Sequence, residues 1–553
     1  MSVILKLGLV SLIFMSQVPA LDIECDACYA FFDTFGDIID SKIFIDGGEG
    51  VVIGLCSIFE SFEVCRGLIE LYGQNYVDAI SQKYLDPSYS CVMLGACSSP
   101  EYIQSNYTQY VREVLADMPP VEPWPNPSGS TFKIVHVTDM HVDWDYKEGA
   151  NTDCDLPLCC REGTGNAGKW GFLGKCDVPP QTVQAFLDQV NEMEDISFVV
   201  WTGDNPPHNI WAYEREAEMN ITRKLVKMFK DTLRVPVYPI IGNHDCFPMD
   251  LFKPGNEDVL LGSLADLWSG WLGPDQIKKF RQNGFYSTVD PKTNVKILGI
   301  NNEMNDNMNT WLILNSTDPG NMLAWVRDEL YEAEKANQRV IVLGHIPHGG
   351  DFSESNWARR YEVLANRFRN TIVAQFFGHT HKDEFEVIPS IVPGFDPAGV
   401  LNVAPPFTTY SYHNPSFRVI EFDSVTKKMV NIHQYRLPLH KYNNSTAKPT
   451  FEKVYSMKEE YGLPDLSPKS FQMIAESLKN STSFTQKFYA NFMSQYSFEA
   501  KNCDQSCQQN LYCRLSNDVF DEYLKCVDTP SGSDFGFLIF EKLIGEWLIR
   551  LNN

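Results

Sequence analysis

The sequence predicts a multidomain protein: a small all-α domain held by disulfides, a larger α/β domain, and a helical C-terminal subdomain. Three observations carry that reading. Six cysteines punctuate helix-like stretches before residue 100. From Thr131 onward, short apolar runs with polar ends alternate with amphipathic segments, the texture of an α/β domain with largely buried strands. After about residue 445 the periodicity turns helical again. A length of 553 residues is enough for about two to four domains.

The formal net charge of −25 argues against nucleic acid as a partner and against anionic lipid at neutral pH. That repulsion weakens as carboxylates protonate near about pH 4–5, so an acidic working compartment is expected.

Residues 1–20, "MSVILKLGLVSLIFMSQVPA", read as a secretory signal: Lys6 in a short start, an apolar core, and a small-residue cleavage site at Val18-Pro19-Ala20. The apolar run is short for a membrane span, and no later segment approaches transmembrane length without charges. Fifteen cysteines behind an export signal point to disulfides. Sequons at Asn106, Asn220, Asn315, Asn443, Asn444 and Asn480 fit a glycosylated lumenal product.

The first domain spans 21–100. Its cysteines are spaced Cys25-x2-Cys28, Cys56-x8-Cys65 and Cys91-x5-Cys97, around "CYAFFDTFGDIID" and "VCRGLIELYGQNYVDAI", which repeat apolar residues at helical intervals. Six cysteines allow fifteen pairings, and spacing alone does not choose among them. The arrangement resembles the saposin family. That resemblance implies nested bridges Cys25–Cys97 and Cys28–Cys91 around an inner Cys56–Cys65, in a helical module that contacts lipid; a disulfide-stapled spacer is the alternative. Residues 101–130 follow as a linker, whose proline-rich "MPPVEPWPNPSGS" reads as semi-stiff.

The α/β domain spans 131–445. Its strand-like runs include "FKIVHVTDMH", "ISFVVWTGD", "VPVYPIIGNHD", "VKILGINNE", "RVIVLGHIPHG" and "TIVAQFFGHTHKDEF", with helical segments such as "VQAFLDQVNEME" and "NMLAWVRDELYEAEK" between them. Set in order, the polar ends are Asp139-Met-His141, Gly203-Asp204-Asn205, Gly242-Asn243-His244-Asp245, Gly344-His345 and Gly378-His379-Thr-His381. Ligands in open α/β sheets gather at strand ends. Aspartates, an asparagine and several histidines suit a borderline divalent metal. One His-x-His is a common polar turn, but five such ends in one chain are not chance.

This series resembles the calcineurin-like metallophosphoesterase family over roughly 131–440. The resemblance implies a β-sandwich flanked by helices and two divalent metal ions, zinc being expected. Asp139, His141 and His381 would bind the first ion, Asn243, His345 and His379 the second, and Asp204 would bridge them. It also implies in-line attack on a phosphoester by a hydroxide held between the ions, a device that lowers the pKa of bound water to about 7. The family places histidines at His208 and His244 near the scissile phosphate, where a general acid would protonate the leaving oxygen. No motif claims His136 or His348, which read as structural. Purple acid phosphatases carry a tyrosine where Pro207 stands, so that branch fits poorly.

The stretch "VTDMHVDWDYKEGANTDCDLPLCCREGTG" resembles the acid sphingomyelinase family. So does the tail spacing Cys503-x3-Cys507-x5-Cys513-x12-Cys526. The resemblance implies bridges Cys154–Cys159, Cys160–Cys176, Cys503–Cys507 and Cys513–Cys526. It further implies hydrolysis of sphingomyelin in a bilayer to ceramide and phosphocholine, in a lysosomal lumen and/or after secretion. Trp144, Tyr146, Tyr410 and Tyr412 are candidate aromatic faces for the choline ammonium. Cys246 is left without a partner and is expected as a free thiol near the metals.

The C-terminal subdomain spans 446–553 and ends in "FGFLIFEKLIGEWLIRL", read as a docked helix with Lys542, Glu546 and Arg550 on one face, with a membrane-surface helix as the alternative. Two rival functions stand beside the lipid phosphodiesterase: a secreted nucleotide or small-molecule phosphodiesterase, and a lipid-binding protein with an inactive phosphoesterase domain.

Overall fold

The computed structural model describes residues 28–32, 52–54, 56–57, 60–86, 90–91, 107–255, 257–350, 353–494 and 502–527. The signal segment, the Cys25–Cys97 pair, Asn106 and the apolar segment at 535–551 lie outside the described residues.

Twelve described strands build the central domain. First in the chain come β1 (Thr131–Val137), β2 (Ile196–Trp201), β3 (Val237–Pro239), β4 (Tyr286–Val289), β5 (Lys296–Gly299) and β6 (Val340–Leu343). After them come β7 (Ile372–Phe377), β8 (Glu384–Ile388), β9 (Gly399–Val403), β10 (Ser416–Asp423), β11 (Met429–Arg436) and β12 (Glu452–Ser456). They form two six-stranded sheets, ordered β12-β11-β10-β1-β2-β3 and β4-β5-β6-β7-β9-β8. β1, β2 and β3 run parallel, as do β5, β6, β7 and β9. Parallel strands covered on both faces need continuous apolar sequence, and β2 ("ISFVVW") and β6 ("VIVL") are buried at every position.

The sheets face each other across one core. The His136 ring of β1 lies 5.2 Å from Phe376 of β7, and Phe376 lies 6.4 Å from Phe422 of β10. Each buried Val, Leu, Ile or Phe contributes about 1.5–3 kcal/mol relative to exposure. Helices Pro180–Glu192 and Met322–Lys335 fall on two segments whose periodicity is helical in the sequence. The strand β12 comes from beyond residue 445 and completes the edge of the first sheet.

The N-terminal region rests directly on this domain. Helix Phe62–Tyr84, capped by Ser61, packs Val64, Leu68 and Tyr72 against Ile210, Trp211 and Tyr213. Gly67 is required there, because a Cβ would collide with the Trp211 carbonyl. The linker is not a free spacer either. It opens with helix Tyr107–Leu115, and its proline-rich part is pinned by Asn370, which accepts from the Glu122 N–H at 2.9 Å and donates to the Pro120 carbonyl at 2.8 Å.

Described disulfides are Cys28–Cys91, Cys56–Cys65, Cys154–Cys159, Cys160–Cys176, Cys503–Cys507 and Cys513–Cys526. Of the sequons, Asn220, Asn315, Asn444 and Asn480 are exposed. The Asn443 amide is engaged, accepting from the Trp170 N–H and donating to the Gly171 carbonyl, both at 2.9 Å.

The C-terminal helices Pro468–Asn480, Thr482–Phe492 and Gln505–Ser516 pack on β8, where Phe385 meets Phe471 at 5.0 Å and Arg514 grips Glu384 through two bonds of 2.6 and 3.0 Å. Three further carboxyls are buried at this junction: Glu362, Glu386 and Asp518. Burial raises Glu362 to about 7, Glu386 to about 8 and Asp518 well above the usual range, with Arg359 and Arg514 opposing. The folded chain therefore holds protons that the unfolded chain releases above about pH 4. This contribution to stability is complete at acid pH and is lost as pH rises through about 7 and 8. Accordingly, the melting temperature should be higher at about pH 5 than at about pH 8, and Glu386→Gln should narrow the gap. Equal melting temperatures for the wild type would contradict this reading.

Candidate metal centre

The parallel strands of both sheets deliver their C-terminal ends to one place. Asp139 and His141 follow β1, Asp204 follows β2, Asn243 and His244 follow β3, His345 follows β6, and His379 and His381 follow β7. The turns are tight enough to force unusual backbone. Asp139, His141, Asp204, His379 and His381 take positive φ of 49°, 39°, 62°, 71° and 53°. Such residues cost about 1–3 kcal/mol each and persist where the surroundings dictate them. Gly203 (φ +88°) and Gly242 pass so close that a Cβ on either would strike the other segment's backbone.

Seven donors form two groups that share Asp204. In the first, His381 Nε2 lies 3.2 Å from His141 Nε2 and 3.4 Å from Asp139 Oδ1. In the second, Asn243 Oδ1 lies 3.0 Å from His345 Nε2 and 2.9 Å from His379 Nδ1. Asp204 Oδ2 reaches both, 3.5 Å from His141 Nε2 and 3.1 Å from His345 Nε2.

The surroundings fix which atoms face inward. His141 Nδ1 donates to the Pro206 carbonyl at 2.8 Å, and His345 Nδ1 to the Thr202 carbonyl at 2.5 Å, so each Nε2 lone pair points into the cluster. Asn243 Nδ2 donates to Asp250 at 2.8 Å, which turns its oxygen inward. Lone pairs thus confront lone pairs and carboxylates in a buried space, an arrangement that asks for positive charge. The electrostatics agree. Burial works against a charge on His345, yet Asp204 and Asp139 raise it to about 9. Burial would raise Asp139 as well, but His381, His345 and His141 hold it far below the usual carboxylate range. The spacing of nitrogens and oxygens fits two divalent cations.

His208 and His244 stand beside the first group, with ring centroids 4.0 and 4.6 Å from His141. Each has a partner that sequence reasoning missed. His208 Nδ1 donates to Asp177 at 2.8 Å, and the same carboxylate accepts from the His208 N–H and the Thr408 hydroxyl, both at 2.7 Å. The Tyr213 hydroxyl donates to the Pro207 carbonyl at 2.7 Å and receives His244 Nδ1–H at 2.8 Å. Burial lowers both imidazoles well below their ordinary value.

The four aromatic candidates separate. Tyr146 is buried with its hydroxyl on the Gly168 carbonyl at 2.6 Å, and Trp144 is half-buried with the Lys224 ammonium 5.2 Å from its ring. Tyr410 stacks on His208 at 4.0 Å. Only Tyr412 is exposed, at 50%. His136 bonds Thr202 at 3.0 Å inside the core and His348 packs on Tyr361 at 4.3 Å, both away from the cluster. Cys246 is free and buried, and burial pushes its thiol well above the ordinary value. An alkylating reagent should therefore leave the folded protein unlabelled and add one label after denaturation without reductant, read as intact mass; labelling of the folded chain at Cys246 would contradict its burial.

Comparisons with known proteins agree with this geometry. The profile of the calcineurin-like phosphoesterase family matches residues 132–383, and that of the acid sphingomyelin phosphodiesterase C-terminal region matches 397–532. The chain is 32% identical to sphingomyelin phosphodiesterase B of Dictyostelium discoideum, over 91% of this chain and 82% of that protein. It is 31% identical to human sphingomyelin phosphodiesterase, over 85% of this chain and 77% of that protein. It is also 28% identical to a human cyclic GMP-AMP phosphodiesterase, over 73% of this chain and 91% of that protein.

Proposed function

Because the chain belongs to the sphingomyelin phosphodiesterase family, we propose that it hydrolyses sphingomyelin to ceramide and phosphocholine, with Asp139, His141 and His381 holding one zinc ion, Asn243, His345 and His379 a second, and Asp204 both. The observation that carries this reading is the pair of donor groups joined through Asp204, with two carboxylate- or phenol-supported histidines beside them. Bound there, the two ions supply Lewis-acid charge for the phosphate oxygens and a water acidic enough to attack near neutral pH.

The chain's own groups do the rest. Burial disfavours a charge on His208 and His244, and the arriving phosphodiester anion favours their protonated forms. Asp177 and Tyr213 each hold Nδ1, leaving both Nε2 atoms for the phosphate; one imidazolium passes its proton to the departing ceramide oxygen while the other stays on a phosphate oxygen. A primary alcohol leaves poorly as an alkoxide, so this proton matters, by about 10²–10⁴-fold. Tyr412, the solvent-exposed one of the four aromatic candidates, is the ring proposed for the choline ammonium.

The N-terminal region acts as a saposin-like module that brings the bilayer to the site. Its helix Phe62–Tyr84 supports this, since it packs on Tyr213, which holds His244. No helix among the described residues is long and apolar enough to cross a membrane. The contact with lipid is proposed as peripheral, through that module, in a lysosomal or extracellular setting. The cyclic GMP-AMP phosphodiesterase relative keeps a nucleotide substrate as the second reading.

Vesicle sphingomyelin, a dinucleotide and an aryl phosphodiester should be compared at about pH 5 and about pH 7, with and without added zinc. Preferential phosphocholine release at acid pH is expected; cleavage of the small diesters alone would favour the nucleotide reading. Asp177→Asn should lower kcat by about 10–100-fold. It should also move the descending limb of the pH profile to lower pH, because His208 loses the carboxylate that sustains its proton. An unchanged profile would remove Asp177 from this role.

A further inference from the structure

A groove of about 860 Å³ opens at the other end of the second sheet, where β6, β7 and β9 begin, remote from the strand ends that carry the metal centre. The proline-rich passage around Trp124, the turn between β10 and β11, and the start of helix Pro468–Asn480 wall it. Five cations line it against three carboxylates, Glu122, Asp396 and Asp465; Lys427 donates to the Ser424 carbonyl and Lys469 pairs with Asp396, which leaves Lys428, Arg339 and Arg369 along its wall. All three are half-buried.

Their charges are poorly matched. The Lys428 ammonium lies 4.9 Å from the Trp124 ring centroid and has no carboxylate within salt-bridge distance among the described residues. Arg369 donates only to neutral acceptors, the Ser390 hydroxyl at 3.4 Å and the Asp396 and Pro397 carbonyls. Arg339 shares Glu122 at 3.1 Å. The carboxylate of Asp396, on the rim, is taken by Lys469 at 3.1 Å. Burial, Arg339 and Arg369 lower Lys428 to about 8 even though Glu122 opposes them, so the cluster is costly to assemble. In a chain of net charge −25 such a group of under-compensated cations is out of character, and an anion would relieve it.

We propose that this groove binds a tetrahedral oxyanion, a phosphate or sulfate group, between Lys428, Arg339 and Arg369. Guanidinium forks suit such oxygens, and the ammonium adds a point charge. The volume lies within the range of small-molecule sites, about 300–1,000 Å³, and exceeds what a bare ion fills. Phe395, 48% exposed on the wall, offers an apolar face to an organic body such as a sugar ring. The same oxyanion could arrive free or as an ester on a carbohydrate, and the two sources separate by experiment.

The full-length, metal-loaded glycoprotein should be titrated calorimetrically at about pH 6, with the groove variants below separating binding in the groove from binding at the metal centre. The probes are inorganic sulfate, a sulfated disaccharide and its unsulfated parent. Saturable binding of a sulfated probe is expected, absent for the parent, weakening as ionic strength rises and falling as pH passes the Lys428 value. Lys428→Met and Arg369→Gln should each weaken it by about tenfold or more, while Lys279→Met, outside the groove, should not. Tighter binding of the disaccharide than of inorganic sulfate would identify the ester as the source; equal binding would identify the free anion. No saturable binding by the wild type, or equal binding by a Lys428→Met protein with an unchanged melting temperature, would overturn the proposal.

Discussion

The arrangement of this protein depends on a charge problem solved at one buried point. Asp204 stands between two groups of inward-facing donors, and the bonds from His141, His345 and Asn243 to the Pro206 and Thr202 carbonyls and to Asp250 turn their acceptor atoms toward the centre. Such a cluster is unfavourable by itself, and five of its seven donors sit in left-handed backbone. Two packed sheets hold it together because their parallel strands end at the same face. Cations convert the repulsion into binding, so the strain and the donors have one explanation.

The same economy links the domains. The residues that receive helix Phe62–Tyr84 include Trp211 and Tyr213, and Tyr213 holds His244. The N-terminal helix and the donor cluster are thus linked through a single side chain, Tyr213. The buried carboxyls under the C-terminal helices tie that subdomain's docking to acid conditions, in keeping with the acidic composition of the chain.

Much of this was legible in the sequence, for a physical reason. A buried parallel strand must be apolar throughout, so a polar residue just past its end is conspicuous, and all seven donors announce themselves that way. The partners that orient them do not. The Thr202 and Pro206 carbonyls leave no trace in residue identity, and Asp250 and Asp177 lie in loops whose paths only the fold reveals. β12 escaped notice because its run, "EKVYS", is short and charged, as edge strands often are. The linker reads as a spacer from its prolines, but Asn370, far away in sequence, pins it. The adjacent sequons at Asn443 and Asn444 are equivalent as sequence, and only the engaged Asn443 amide separates them.

The most direct test of the central claim is the metal content of the purified glycoprotein, measured by elemental analysis per chain for the wild type and Asp204→Asn. The account predicts two divalent ions in the wild type, zinc foremost, and at most one in the variant, since both donor groups rely on Asp204. A wild type that holds one ion or none at saturating zinc, or a variant that keeps two, would contradict it.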